Sequence, residues 1–103
     1  MIKYKIAITQ RAFSSINECV LFVKNVSKEA ANDLYKEIIE KINSLSTLPN
    51  SYPEIDGLKI KDSKVRKMII HNGRYAVIYK IDNDTVVIFD FLDIRKNNYI
   101  LWL

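Results

Sequence analysis

The chain of 103 residues has few of the residues that form disulfides or bind metals, with one cysteine and one histidine. A single cysteine, Cys19, excludes an internal disulfide. Its neighbours Ile16, Val20 and Val23 favour a small buried side chain over a nucleophile. One histidine, one cysteine and scattered carboxylates provide no metal-ligand spacing. We therefore expect neither a metal nor another cofactor.

Long apolar runs are also missing. No run approaches the ~20 residues that a membrane-spanning helix requires, and the N-terminus lacks the pattern of a signal peptide. The sequence contains no repeat, low-complexity segment or interdomain linker, and its length suits a single core. We expect one domain over residues 1–103, located in the cytoplasm and without membrane contact.

Positive charge is concentrated in one window. The net charge of the chain is +4, yet residues 59–75 carry six Lys and Arg against one carboxylate, Asp62, which gives +5 for this window alone. Such a patch suits an anionic partner, either phosphate or an acidic protein. The competing explanation is a solvated charged face that serves solubility.

Apolar spacing predicts the element order β-α-α-β-β-β. Residues 2–8 alternate apolar and polar, as in a strand buried on one face. Ser27 is the expected N-cap of the second helix, and Leu48-Pro49 ends that helix because proline cannot continue the hydrogen-bond ladder. A loop to about Ser63 follows. The predicted elements are a strand at 2–8, helices at 10–24 and 28–48, and strands at 65–71, 74–81 and 85–92. The result is an α+β domain with a two-helix hairpin on a mostly antiparallel four-stranded sheet.

Asn72-Gly73 predicts a tight hairpin because both residues tolerate positive φ. A two-residue loop pairs His71 with Arg74 and assigns every side chain to a face. The mostly apolar face should pack on the helices: Arg66, Met68, Ile70, Tyr75, Val77, Tyr79 and Ile81. The opposite face mixes cations with aliphatic residues and suits a partner: Lys67, Ile69, His71, Arg74, Ala76, Ile78 and Lys80.

These features together resemble the RelE/ParE superfamily of bacterial toxins from toxin-antitoxin systems. The likeness rests on the first strand, the helix hairpin closed by Leu48-Pro49, and the meander VRKMIIHNGRYAVIYKIDNDTVVIFDFLDIRKN. The matching positions are Arg66, Gly73, Tyr75, Ile78, Tyr79 and, just after the last strand, Arg95. The resemblance covers about the full length of the chain.

The resemblance implies the toxin of a type II toxin-antitoxin module, which inhibits growth and stabilises plasmids. RelE-like members cut mRNA in the ribosome, whereas ParE-like members poison DNA gyrase. RelE-like enzymes typically have an arginine after the tyrosine of the third strand, where this chain has Ala76. We therefore favour gyrase poisoning, with mRNA cleavage as the alternative. A third reading is an inactive relative that binds nucleic acid or protein.

Under the RNA-cleaving alternative, the resemblance implies catalytic roles for Arg95 and Tyr99. His71 is a candidate general acid or base because histidine titrates near neutral pH, and a merely exposed polar residue beside the turn is the other explanation. The candidate target-binding or phosphate-binding cations are Arg66, Lys67, Arg74, Lys80, Lys59 and Lys61.

The resemblance also implies partners. The first is a cognate antitoxin, acidic and partly disordered, which could fold along the open sheet face or the helix pair and neutralise the basic window. The second is the target, either DNA gyrase or the ribosome with mRNA. Toxin-antitoxin heterodimers could assemble further into an oligomer.

Overall fold

The computed structural model describes residues 3–96 as one mixed sheet covered by two helices. The sheet order is β1-β5-β4-β3-β2, with β1 parallel to β5 and the other neighbours antiparallel. The predicted α+β class and helix hairpin are confirmed. No helix within residues 3–96 is long and apolar enough to cross a membrane. The elements are β1 (Lys5–Ile8), α1 (Gln10–Lys24), α2 (Lys28–Ser44), a 3-10 turn (Pro49–Ser51), β2 (Glu54–Ile60), β3 (Ser63–Ile70), β4 (Tyr75–Asp82) and β5 (Thr85–Asp93).

Both helices begin at side-chain caps. The Thr9 hydroxyl accepts a hydrogen bond from the Ala12 N–H at 3.1 Å and donates one to the Phe89 carbonyl at 3.0 Å, which ties the start of α1 to β5. Ser27 caps α2 as expected, accepting from the Ala30 N–H at 3.1 Å. Each cap satisfies an N–H that the first helical turn leaves without a partner.

The main core lies between the helices and the sheet. The apolar stripe of α2 is buried and packs against β3 and β4, as the spacing predicts. In contrast, Phe13 of α1 is 52 % exposed although its spacing matches the buried Ile16. The residues of α2 and the following turn in this core are Leu34, Ile38, Ile42 and Leu45, and those of the hairpin are Met68, Ile70, Tyr75, Val77 and Tyr79.

The β3–β4 register is the predicted one, with Arg66 opposite Tyr79 and Ile70 opposite Tyr75. The turn differs in one respect. His71, Asn72 and Gly73 all have positive φ, so the strands end at Ile70 and Tyr75. Both His71 and Arg74 leave the face assigned to them, because His71 contacts Glu37 of α2 and Arg74 lies beside Cys19 and Phe22 of α1. The Arg74 N–H still bonds to the His71 carbonyl at 3.1 Å and closes the turn.

The expected loop before Ser63 contains a fifth strand, β2, and this corrects the four-strand prediction. The sequence EIDGLKI alternates poorly because Gly57, at φ 73°, interrupts it, and its pairing with β3 shifts register there. The sheet face that the sequence left open is also partly covered. Ala76 and Ile78 are fully buried in a second cluster with Ile55, Val65 and Leu92, flanked by Leu58, Ile60 and Ile94.

Tyr79 fastens the end of the helix hairpin to the sheet. Its buried hydroxyl donates to the Pro49 carbonyl at 2.7 Å, and burial raises the pKa of its phenol well above the ordinary value. A phenol with a raised pKa stabilises the fold fully below about pH 10, and this contribution is lost as the pH rises further.

We expect Tyr79→Phe to lower the free energy of unfolding at pH 7 by about 1 kcal/mol, because the Pro49 carbonyl loses its donor. The variant should also lose less stability than the parent between about pH 10 and 12. Urea unfolding at several pH values measures both effects. The exposed Tyr35→Phe serves as the control, and an identical alkaline decline in the parent and Tyr79→Phe would contradict the expectation.

Candidate functional site

The fold separates the cations that the sequence places in one window. Arg66 serves as an internal brace: its guanidinium donates to the Tyr52 carbonyl at 2.6 Å and lies 3.2 Å from a carboxylate oxygen of Glu54. Its side chain is only 18 % exposed. These contacts hold β3 against the segment that leads into β2. Most N–H groups of the Arg66 guanidinium therefore bond within the protein and are not offered to a partner.

Lys80 is also largely enclosed. Its side chain is 6 % exposed, and Nζ lies 3.8 Å from an Asp82 carboxylate oxygen and 5.6 Å from the centre of the Phe89 ring. Lys67 lies on β3 opposite Ile78 and has an interaction partner. The structure therefore gives these two predicted phosphate-binding residues internal contacts.

Lys59 and Lys61 lie at the far hairpin, formed by β2 and β3. Lys59 stands directly opposite Lys64, a like-charge pair that costs free energy unless an anion lies nearby. Glu54 provides one for Lys64, with 3.5 Å between Nζ and Oε1. Lys61 occupies the turn itself, with φ 49°. This hairpin remains the exposed part of the basic window.

His71 links the β3–β4 turn to α2. Its Nδ1 lies 2.9 Å from Oε1 of Glu37, and its ring centre lies 5.6 Å from that of Tyr75. Both side chains of the His71–Glu37 pair are a third or more exposed. Tyr99, the third predicted catalytic residue, lies outside the described residues.

Arg74 and Arg95, by contrast, are brought together around Asp93. The Asp93 carboxylate, 8 % exposed, accepts the Arg95 N–H at 3.0 Å and lies 3.5 Å from Arg95 Nε and 4.0 Å from Arg74 Nε. The Arg74 Nε–H is buried and has no hydrogen-bond acceptor within residues 3–96. The guanidinium of Arg74 also lies 5.4 Å from the Tyr75 ring centre.

These residues line a cavity of about 280 Å³, here called the basic pocket. It is formed where α1 passes the start of β4 and the end of β5, and its lining within residues 3–96 includes three cations and one carboxylate. Such an excess of positive charge around apolar walls suits an anionic group attached to an apolar one. The lining residues are Cys19, Phe22, Arg74, Tyr75, Asp93, Arg95 and Lys96.

A second cavity, of about 390 Å³, continues from the basic pocket along α1. We call the two cavities together the α1 groove. The second cavity adds Ser15, Glu18, Leu21 and Phe91 to the lining. Leu21 and Phe22 are 59 % and 64 % exposed, and Lys96 Nζ lies 5.8 Å from the Phe22 ring centre. Cys19 is partly buried here, and burial raises the pKa of its thiol, so the neutral thiol dominates at pH 7.

Sequence reasoning found Arg74 and Arg95 but missed the other residues of the groove. One signal was available: residues 19–23, CVLFV, are five consecutive apolar residues in an amphipathic helix. A helix buries one face, so such a run must expose part of its apolar surface. The contribution of Lys96 depends on the path of the chain after β5, which the spacing does not reveal.

Comparisons with known proteins agree with this architecture. No curated protein matches the sequence. A solved structure described as the chromosomal ParDE toxin-antitoxin system from P. aeruginosa is similar, with a TM-score of 0.70 and 13 % identity over 88 % of this chain and 96 % of that chain. At that identity the likeness shows the fold. The sequence profile of the ParE toxins of type II toxin-antitoxin systems matches residues 6–98, nearly the whole length. The chain therefore belongs to the ParE toxin family.

Proposed function

We propose that this ParE-family toxin arrests growth by binding and poisoning DNA gyrase, and that an acidic antitoxin neutralises it in the cytoplasm. The observation that carries the choice of target is the burial of Ala76. This side chain is fully buried beside Ile78 and Leu92. RelE-like enzymes typically have a phosphate-holding arginine at the position that Ala76 occupies in this chain. A guanidinium cannot replace the buried methyl group of Ala76 without disrupting the second apolar cluster, in which Ala76 packs.

The surroundings of Arg95 support the same proposal. RNA cleavage requires cations aimed at the crowded phosphate, whereas Arg95 lies beside the Asp93 carboxylate, 3.5 Å from Nε to Oδ1. That carboxylate would repel a phosphate in the basic pocket. Docking on a protein surface needs no catalytic cation and tolerates such internal ion pairs.

The antitoxin partner is proposed from the family and from the charge. The similar P. aeruginosa structure is described as a ParDE system, a toxin with its antitoxin, and the family profile names the same type of module. A chain with a net charge of +4 would be neutralised well by an acidic segment that orders on binding. The heterodimers could assemble further.

The target is tested by pulse-labelling after tightly controlled induction in a bacterial host, following thymidine and methionine incorporation in parallel. We expect thymidine incorporation to fall first, and purified gyrase incubated with the protein to accumulate cleaved DNA. A host carrying the empty vector is the control. Immediate loss of methionine incorporation with DNA synthesis intact would overturn the gyrase proposal in favour of mRNA cleavage, and growth without any defect would favour an inactive binding relative.

The antitoxin is tested by co-expressing the protein with the product of the adjacent gene. We expect co-expression to restore growth and the two products to co-purify through an affinity tag on one of them. Unimpaired growth of cells that express the toxin alone, together with no co-purification, would count against the partner.

A further inference from the structure

We propose that residues 97–103 of this chain dock on the open sheet face, the side of the sheet opposite the helices. The sequence of this segment is NNYILWL, and its last five residues are all apolar. The proposal is independent of the toxin's target, because it rests on the burial of the face and on the path of the chain. A face that the chain itself covers is closed to a partner while the segment stays in place.

Burial on the open sheet face requires a covering layer. Val65, Ala76 and Ile78 are each 0 % exposed. They belong to the second cluster, which within residues 3–96 contains strand residues and the adjoining Ile94 but no residue of either helix. A side chain that stands up from a sheet remains in contact with water unless another layer lies above it. The helices supply that layer only for the main core on the other face.

Lys80 shows that the cover extends beyond the apolar residues. It pairs with Val65 across β3 and β4, so both side chains point to the same face. The Lys80 side chain is only 6 % exposed, and its Nζ lies 3.8 Å from an Asp82 carboxylate oxygen. Lysine is almost never this buried on an uncovered surface. The layer above the sheet therefore reaches the middle of β4.

The chain leaves β5 at the border of this face. Ile94 packs against the second cluster, and its N–H donates to the Arg74 carbonyl at 2.9 Å. The Lys96 N–H then donates to the Asp93 carbonyl at 3.0 Å, which closes a turn and reverses the chain. Seven extended residues reach about 23 Å, whereas the path from β5 across β4 and β3 to β2 is about 14 Å. Residues 97–103 are long enough to cross the whole face.

Composition favours this face over the α1 groove. Residues 99–103 carry no charged side chain, and aromatic and β-branched residues pack well on a pleated surface. The lining of the basic pocket within residues 3–96 includes Arg74, Arg95 and Lys96. Three cations suit an anionic group, and an uncharged segment lying over them would cost their hydration. The apolar second cluster carries no such cost.

Trp102 provides the test, because it is the only tryptophan and lies within the segment. Its fluorescence therefore reports on the segment in the intact protein. We expect acrylamide to quench Trp102 about threefold less efficiently in the folded protein than in urea, since packed interiors exclude the quencher. The emission maximum should also lie at shorter wavelength in the folded protein. Equal quenching in both states would overturn the proposal.

Charged substitutions then locate the segment. Ile69 and Lys67 lie opposite Ala76 and Ile78, so Ile69→Asp and Lys67→Asp place a carboxylate on the open sheet face. Each should raise tryptophan quenching in the folded protein by about twofold, because a carboxylate under an apolar segment is costly to bury. The matched control Phe22→Asp places the same charge in the α1 groove and should leave quenching unchanged.

Two results of this comparison would refute the proposal. An increase in quenching with Phe22→Asp alone would move the segment to the α1 groove. A shielded Trp102 that responds to neither open-face variant would show that the segment is held elsewhere. Circular dichroism checks that each variant keeps its helices and strands.

Urea unfolding gives a second readout that does not depend on fluorescence. The double variant Ile100→Ser/Leu101→Ser should lower the urea midpoint, because it removes apolar surface that packs on the sheet. The matched double variant Asn97→Ser/Asn98→Ser changes two residues of the same segment and should leave the midpoint unchanged. Equal midpoints for the parent and both double variants would show that the segment adds no packing, which would contradict the proposal.

Discussion

Replacing Asp90 with alanine is expected to lower the free energy of unfolding by about 3 kcal/mol. Asp90 is 1 % exposed, and its carboxylate accepts the Phe91 N–H at 2.8 Å and the Ser15 hydroxyl at 3.1 Å. Its second oxygen lies 2.9 Å from Arg11 Nε. Alanine would remove all these acceptors at once and leave the buried Phe91 N–H without a partner.

The β5 backbone explains why a carboxylate is buried here. The β4–β5 register shifts between the pairs Ile78–Asp90 and Tyr79–Ile88, so Phe89 is an extra residue and forms a bulge. A bulge re-aims the side chains beside it, and Asp90 contacts Arg11 and Ser15 of α1. The carboxylate therefore clamps α1 to β5.

Urea unfolding of three variants tests this clamp. Asp90→Asn keeps an oxygen for the Phe91 N–H and loses the ion pair, so its loss should be smaller, about 1–2 kcal/mol. Asp33→Ala removes an exposed carboxylate of α2 and should change stability by less than about 0.5 kcal/mol. An unchanged urea midpoint for Asp90→Ala would refute the clamp.

Local signals in the sequence were sufficient where one short segment decides the geometry. Ser27, the expected N-cap of α2, accepts a hydrogen bond from the N–H three positions away. Asn72-Gly73 fixes the hairpin register, and the observed pairs follow from it. In each case the competing structures are few, because the turn or cap specifies its own backbone conformation.

Distant contacts decided the features that the sequence did not reveal. The strand β2 exists because β3 offers an edge for pairing, and its Gly57 weakens any local strand signal. Distant contacts also separate the cations of the basic window. Arg66 pairs with Glu54, whereas Arg74 and Arg95 both lie beside Asp93 at the end of β5. Ion pairs depend on which elements meet, and charge counts along the chain do not contain that information.

Replacing Asp93 with asparagine is expected to increase the affinity of the basic pocket for inorganic phosphate by about tenfold, equivalent to about 1.4 kcal/mol. The amide oxygen can still accept the Arg95 N–H, while the negative charge between Arg74 and Arg95 is lost. The two guanidiniums then face an incoming anion without an internal competitor. Some stability should be lost with the ion pairs, and a urea titration measures that loss separately.

Calorimetric titration of phosphate into the parent, Asp93→Asn and Glu18→Gln distinguishes an RNA target from a protein target. Glu18 lines the groove away from the basic pocket, so its neutralisation should change phosphate affinity much less. If the pocket were built to hold the phosphate of mRNA, the parent would already bind phosphate strongly and Asp93→Asn would add little. A large gain assigns Asp93 the role of excluding phosphate from Arg74, Arg95 and Lys96, which is the result expected of a toxin that docks on a protein target.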